Sequence, residues 1–300
     1  MKTIEIKQLA EKNGLHISEE TITMNESGVD FLVAYAKDPN KNRWILRIPR
    51  RPESMRHAGK EKAALEIIQR HVRFEVPFWS VFSEDLIAYR ELSGVPAAVI
   101  DMEKQDYEWK LDKTNVPAGY YESLGTALAD LHAIPPKAFH PIGAETTSAG
   151  NLRSSMKERM ARVKEIYDVN ETLWERWQRW LADDTIWPAH AGVLHGDLHP
   201  GHILIDENSR VTGLIDWTET AVGDVSADFL SHYLIFGKEG LAELLHAYAR
   251  AGGKTWSGME EHIEELLTTS GITVAEYAEV SGLKEMHEAA AHMLSQENGR

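Results

Sequence analysis

The chain has no cysteine among its 300 residues. That excludes a disulfide framework, a thiolate metal centre and a cysteine nucleophile. No uninterrupted apolar run is long enough to span a bilayer, and the start, Met1-Lys2-Thr3-Ile4-Glu5-Ile6-Lys7, lacks the apolar core of a signal peptide. A cytoplasmic protein without membrane contact is expected. Basic residues are also scarce: 32 Lys and Arg stand against 47 Asp and Glu, a formal net charge of −15. This balance argues against a nucleic-acid backbone as partner and leaves room for a cationic small molecule, although a solubilising surface accounts for most of such an excess. There is no repeat and no low-complexity stretch. With 43% hydrophobic residues the chain can build one large domain or two moderate ones.

One stretch concentrates the chemistry: His195-Gly196-Asp197-Leu198-His199-Pro200-Gly201-His202, two short β-branched runs (203–206 and 211–215) around the turn Glu207-Asn208-Ser209-Arg210, and then Asp216. A hairpin of that shape brings Asp197, His202 and Asp216 to one end. Phosphoryl transfer needs such a set: a carboxylate to orient and deprotonate the attacking hydroxyl, and two ligands to hold Mg²⁺ on nucleotide phosphates. The spacing matches the kinase catalytic loop and the metal-binding Asp that follows it, except that His202 stands where kinases have Asn. Two plainer readings compete. An Asp in a Gly/Pro loop is usually a turn former, and a His is usually packed or solvated. A sharper rival is a zinc hydrolase using His195, Asp197, His199 and His202. It leaves the first ninety residues unexplained, and the carboxylates suit a hard oxygen-binding metal better.

In chain order, residues 4–13 follow a helical period that stops at Gly14. A hairpin with Asn25-Glu26-Ser27-Gly28 at its tip follows; as the turn above the phosphates it would use Ser27 and Gly28. The next turn is Asp38-Pro39-Asn40-Lys41-Asn42, and the strand after it puts Arg47 where kinases carry the phosphate-binding Lys. Residues 54–71 form a helix whose Glu61, in preference to Glu66, orients that cation. Residues 78–81 and 86–91 complete a five-stranded sheet, and Leu92-Ser93-Gly94 makes a hinge whose backbone reads the purine edge. Segment 94–117 is irregular or partly stranded. Residues 120–134 are helical up to Pro135-Pro136, with His132 as a core histidine supporting the catalytic loop. Residues 153–183 make two helices carrying a Met and Trp stripe, which is core packing first and a wall for a large apolar ligand second. Asp224 and Asp228 read as helix caps or braces of the catalytic loop that also make the cleft acidic, and four short helices (239–250, 257–268, 274–280, 283–296) follow.

With these residues in place, the chain resembles the macrolide 2′-phosphotransferases, a branch of the aminoglycoside phosphotransferase and protein-kinase-like superfamily. The resemblance rests on Asn25-Glu26-Ser27-Gly28-Val29-Asp30, residues 44–51, Trp177-Gln178-Arg179-Trp180-Leu181, His195-Gly196-Asp197, Gly201-His202-Ile203-Leu204-Ile205-Asp206 and Ile215-Asp216-Trp217. Arg47 and His202 both look like features of this branch. The resemblance implies an α+β, bilobal protein-kinase-like fold. Its N-terminal lobe (1–93) is an antiparallel five-stranded sheet with one long helix, and its mainly helical C-terminal lobe (94–300) is catalytic and substrate-binding. It also implies a monomeric antibiotic-inactivating kinase that transfers the γ-phosphate of GTP, with ATP as the other donor, to the desosamine 2′-hydroxyl of macrolides. Asp197 is then the catalytic base, His202 and Asp216 hold Mg²⁺, and Ser27, Gly28, Arg47, Glu61, Glu91, Leu92 and Ser93 serve the nucleotide. Asp197, Trp217, Glu219 and Asp228 face the acceptor, whose dimethylammonium favours an acidic cleft. The alternatives are a kinase of the same fold acting on an aminoglycoside or other small hydroxylated amine, the zinc hydrolase, and a non-catalytic nucleotide-binding protein, which the pairing of Asp197 with Asp216 disfavours.

Overall fold

Period-two alternation divides the N-terminal sheet into a covered face and an open one. Helix α1 (Thr3–Lys12) precedes strands β1 (Ser18–Asn25), β2 (Phe31–Lys37) and β3 (Arg43–Pro49). Leu32, Ala34 and Ala36 of β2 and Trp44, Leu46 and Ile48 of β3 are buried in a core with Ile6 and Ala10 of α1. Their in-between neighbours, Val33, Tyr35, Ile45 and Arg47, therefore line the opposite side, which is a cleft. Helix α2 (Pro52–Ile68) starts on a proline at its first position and buries Ala58, Glu61, Ala64, Leu65 and Ile68. Glu61 is thus a carboxylate inside a stripe that is apolar apart from Ser54. Strands β4 (Trp79–Phe82) and β5 (Ile87–Arg90) complete an antiparallel sheet of order β1-β2-β3-β5-β4. The structure is a computed structural model that describes residues 1–26, 30–101 and 106–299.

Beyond the sheet, the segment expected to be irregular or partly stranded contains β6 (Val95–Pro96) and a hairpin of β7 (Ala98–Asp101) with β8 (Asp106–Trp109). Helix α3 (Ala118–His132) packs on α6 (Leu230–Arg250) so closely that a methyl group on Gly125 would stand 2.6 Å from the backbone nitrogen of Tyr248. Helices α4 (Ala149–Ile166) and α5 (Glu171–Ala182) are separated by a break capped by Asn170, whose side chain accepts from the Leu173 N–H. Their Met156, Met160, Trp177 and Trp180 pack with Leu266, Ile272, Ala290 and Leu294, so the Met and Trp stripe is mostly core. Between α5 and α6 lie β9 (Gly192–Leu194), β10 (Ile203–Ile205), β11 (Val211–Leu214) and β12 (Ala221–Gly223). Strands β10 and β11 form the expected hairpin, extended by β6, and β9 pairs with β12.

The chain ends in α7 (Met259–Leu267), α8 (Ser270–Ser281) and α9 (Lys284–Ser295). At Gly237 (φ 66°, ψ −164°) the backbone of α6 leaves the helical region, so α6 is two helical pieces meeting at a kink, the second of which starts next to the expected Glu239; α8 begins at Ser270, before the expected 274. The result is the expected α+β, bilobal, protein-kinase-like architecture, with the cleft between sheet and helices. Among the described residues no helix is long and apolar enough to cross a membrane.

Candidate active site

The loop leaving β9 is held from below before it reaches the cleft. The Asp228 carboxylate accepts the N–H groups of His195 at 2.8 Å and Gly196 at 2.9 Å. It also takes a bond from His132 Nε2 at 3.1 Å, and the other ring nitrogen of His132 lies 3.0 Å from the Tyr248 hydroxyl. Burial alone would raise the Asp228 carboxyl, but the His132 bond and the backbone N–H donors hold it below the usual carboxylate range. His195 is fully buried, and both its ring nitrogens are engaged: Nδ1 accepts from the Asp197 N–H and Nε2 donates to the Ile215 carbonyl. Gly196 sits at φ 88°, and a side chain there would collide with the Glu219 carbonyl.

That bracing turns the Asp197 side chain outward, 53% exposed, into the cleft. His202 Nδ1 donates to the Asp197 carbonyl at 2.9 Å, which leaves the Nε2 lone pair free. Nε2 lies 3.7 Å from Asp216 Oδ2, and Nδ1 lies 3.6 Å from Asp197 Oδ2. The hairpin thus joins the three side chains that its spacing places together. Asp216 adopts φ 64°, and its Oδ1 accepts the Thr218 hydroxyl at 3.0 Å. Burial would raise its carboxyl; His202, Thr218 and Arg47 keep it below the ordinary value. Donor atoms of Asp197, His199 and His202 lie within 4.8 Å of one another. His195 is not in that group, and His199 Nδ1 caps the Gly201 N–H, so the four-ligand zinc set does not converge.

Across the cleft, Arg47 Nη1 bonds both Glu61 oxygens at 2.9 and 3.1 Å. Burial pushes the Glu61 carboxyl up and the guanidinium counters it. Phe31 and Trp79 lie 4.4 and 5.4 Å from the Arg47 guanidinium carbon, which explains a planar cation here: it stacks where an ammonium would not. The space between Arg47, Tyr89, His202 and Asp216 is a cavity of about 550 Å³.

The profile of the phosphotransferase enzyme family (APH) matches residues 21–262. The chain belongs to this family. Macrolide 2′-phosphotransferase MphH from Brachybacterium faecium, solved as the apoenzyme, is 34% identical over 97% of both chains, with a TM-score of 0.92. A type I macrolide 2′-phosphotransferase is 37% identical over 98% of this chain and 97% of its own, with a TM-score of 0.86. The uncharacterized protein YcbJ of Bacillus subtilis (strain 168) is 40% identical over 274 residues, 91% of this chain and 90% of that protein.

In this phosphotransferase several expected contacts lie elsewhere. Trp217 is fully buried, stacked on Phe74 and donating to the Leu214 carbonyl, and Asp228 is beneath the loop, so neither faces an acceptor. Glu219 is exposed to solvent, and desolvation of its carboxyl together with Asp197, Asp216 and Glu145 pushes it up. At the hinge, Ser93 donates its N–H and hydroxyl to the Glu75 carboxylate, and its carbonyl accepts from Thr212. Its polar groups are therefore occupied within the protein. Glu91 turns to Arg43, and Leu92 stands between the two. Ser27 and Gly28 lie outside the described residues. Sequence reasoning did not find Tyr89, Phe31 or Thr218. Tyr89 pairs with Ile45, two residues from Arg47, and Phe31 alternates with Val33 and Tyr35, so strand alternation could have found both; Thr218 carries no local signal.

Proposed function

We propose that this phosphotransferase inactivates macrolides by moving the γ-phosphate of a nucleoside triphosphate, GTP by preference and ATP otherwise, to the desosamine 2′-hydroxyl. The observation that carries this reading is the meeting of Asp197, His202 and Asp216 at the mouth of the cleft, opposite the Arg47–Glu61 pair. The likeness to two macrolide 2′-phosphotransferases along nearly the whole chain supports the choice of acceptor.

Asp197 accepts the hydrogen bond of the attacking hydroxyl and takes its proton as the oxygen bonds the γ-phosphorus and the bond to the β-phosphate oxygen breaks. Arg47, held by Glu61, orients the phosphates, and the hinge backbone at Glu91 and Leu92 meets the base. Ser27 and Gly28 would cover the phosphates from above. His202 Nε2 and Asp216 fit Mg²⁺: two converging donors, one anionic, leave its remaining positions to phosphate oxygens and water. When bound, the ion neutralises charge on the transferring phosphoryl group. We assign 1–93 and 94–300 as the two lobes that enclose these partners.

For the acceptor, Asp197, Glu219 and Glu145 make an acidic rim suited to a dimethylammonium beside the reacting hydroxyl. Behind it, a mixed cavity of about 200 Å³, lined by Leu152, Met156 and Trp187 together with Glu145, Arg159 and Asp224, is where part of a macrolactone would rest. The test is mass spectrometry of erythromycin incubated with protein, Mg²⁺ and either GTP or ATP. A product heavier by one phosphoryl group is expected, with more from GTP. No product from folded protein with either nucleotide would refute the macrolide assignment and direct the search to aminoglycosides and other hydroxylated amines.

A further inference from the structure

The hydroxyl of Thr218 stands at the junction of the two halves of the cleft. It donates to Asp216 Oδ1 at 3.0 Å and lies 3.4 Å from Glu61 Oε2. Glu61 in turn grips Arg47 and receives the backbone N–H of Trp217. Asp216 needs such a hold. At φ 64° it occupies the left-handed region, which a residue with a side chain keeps only where its surroundings dictate it. Its carboxylate has two inequivalent oxygens: Oδ2 faces His202 Nε2 at 3.7 Å, and Oδ1 is turned away to Thr218. A partial rotation of that carboxylate would turn both oxygens off these directions and draw Oδ2 away from His202 Nε2.

We propose that Thr218 is a positioning residue that fixes the rotation of the Asp216 carboxylate and ties it to the Arg47–Glu61 pair, so that the cation site and the phosphate-binding cation are assembled as one unit. The inference rests on the nucleotide-and-cation reading above and adds a residue to it. It also explains why a β-branched hydroxyl residue suits position 218. The methyl group restricts χ1, and the hydroxyl reaches a residue two positions back and, across the cleft, the buried carboxylate of α2. Hydrogen-bonding partners of a metal-holding side chain are typically worth about 10- to 100-fold in metal affinity.

The test is a calorimetric titration of the full chain with GDP, once with Mn²⁺ and once with EDTA. The divalent ion tightens GDP binding to the wild type. Thr218→Val, which keeps the branched shape and loses the hydroxyl, loses about 10- to 100-fold of that tightening while its affinity in EDTA falls by a clearly smaller factor, and Thr218→Ser regains it. Thermal melts establish that each variant is folded. Full cation-dependent tightening in folded Thr218→Val overturns the proposal, as does an equal loss with and without the ion, which would mark a merely structural residue. A wild type that binds no GDP, or binds it identically in Mn²⁺ and EDTA, overturns instead the nucleotide-and-cation reading beneath it.

Discussion

Replacing Asp228 by Asn tests the bracing of the Asp197 loop without any ligand. The carboxylate accepts from His195 N, Gly196 N and His132 Nε2, all in a site that is 1% exposed. An amide keeps one acceptor oxygen and turns an NH₂ group toward backbone donors. Two lost charge-assisted bonds at about 1.5–3 kcal/mol each give about 3–6 kcal/mol. With an unfolding entropy near 0.6 kcal/mol/K for a chain of this length, the melting temperature should fall by about 5–10 °C. The pH dependence gives a second check. Asp228 is held below its unfolded value, so its contribution is present above pH of about 4 and is lost as pH falls through the lower folded value. Asn does not titrate, so the gap between wild type and variant should close in acid. Scanning calorimetry from pH 7 downward reads both quantities. A gap under about 2 °C at neutral pH, or one that persists unchanged in acid while both proteins still fold, would refute the reasoning.

Further changes probe the site directly. Asp197→Ala and Asp216→Asn should each abolish phosphoryl transfer with melting temperatures near that of the wild type, and normal turnover in either removes that residue from the mechanism. Asn is chosen at 216 because it tolerates the left-handed backbone there. His202→Asn should retain substantial Mg²⁺-supported turnover, since Asn serves at this place in the kinase pattern; complete loss in a phosphorylation assay would give the imidazole a further task. Gly196→Ala combines a positive φ with a collision against the Glu219 carbonyl, so it should cost about 1–3 kcal/mol in a denaturation curve. A wild-type curve would mean that the loop is less tightly packed than its geometry indicates.

Local pattern reached far into this molecule because its first two hairpins, α2 and α3 are short-range structures. Turn residues at 38–42 and the alternation of Trp44, Leu46 and Ile48 depend on neighbours a few positions away. The loop of Asp197 and the hairpin that follows were legible for the same reason: two strands joined by one turn return Asp216 to His202. The hinge was read less well. Ser93 looks like a free backbone position until Glu75, eighteen residues earlier, is seen to take its donors. The β7–β8 hairpin escaped because its strands are only four residues long and partly exposed, which leaves almost no alternation to detect.

By itself the sequence determined which groups were available and at what local spacing: no thiol chemistry, an Asp–His–Asp set on one loop and hairpin, and a cation on a strand alternating between two faces. The tertiary structure decided which partner each group meets. It buried Asp228 under the loop through packing between α3, α6 and β9, and Trp217 against Phe74 and His195, although local sequence assigns neither a face. It also supplied the reason why Glu61, already preferred from the sequence, and not Glu66 meets Arg47. Both carboxylates lie on α2, but burial leaves one in contact with a guanidinium and the other in solvent, and desolvation makes the buried pair the one whose geometry matters.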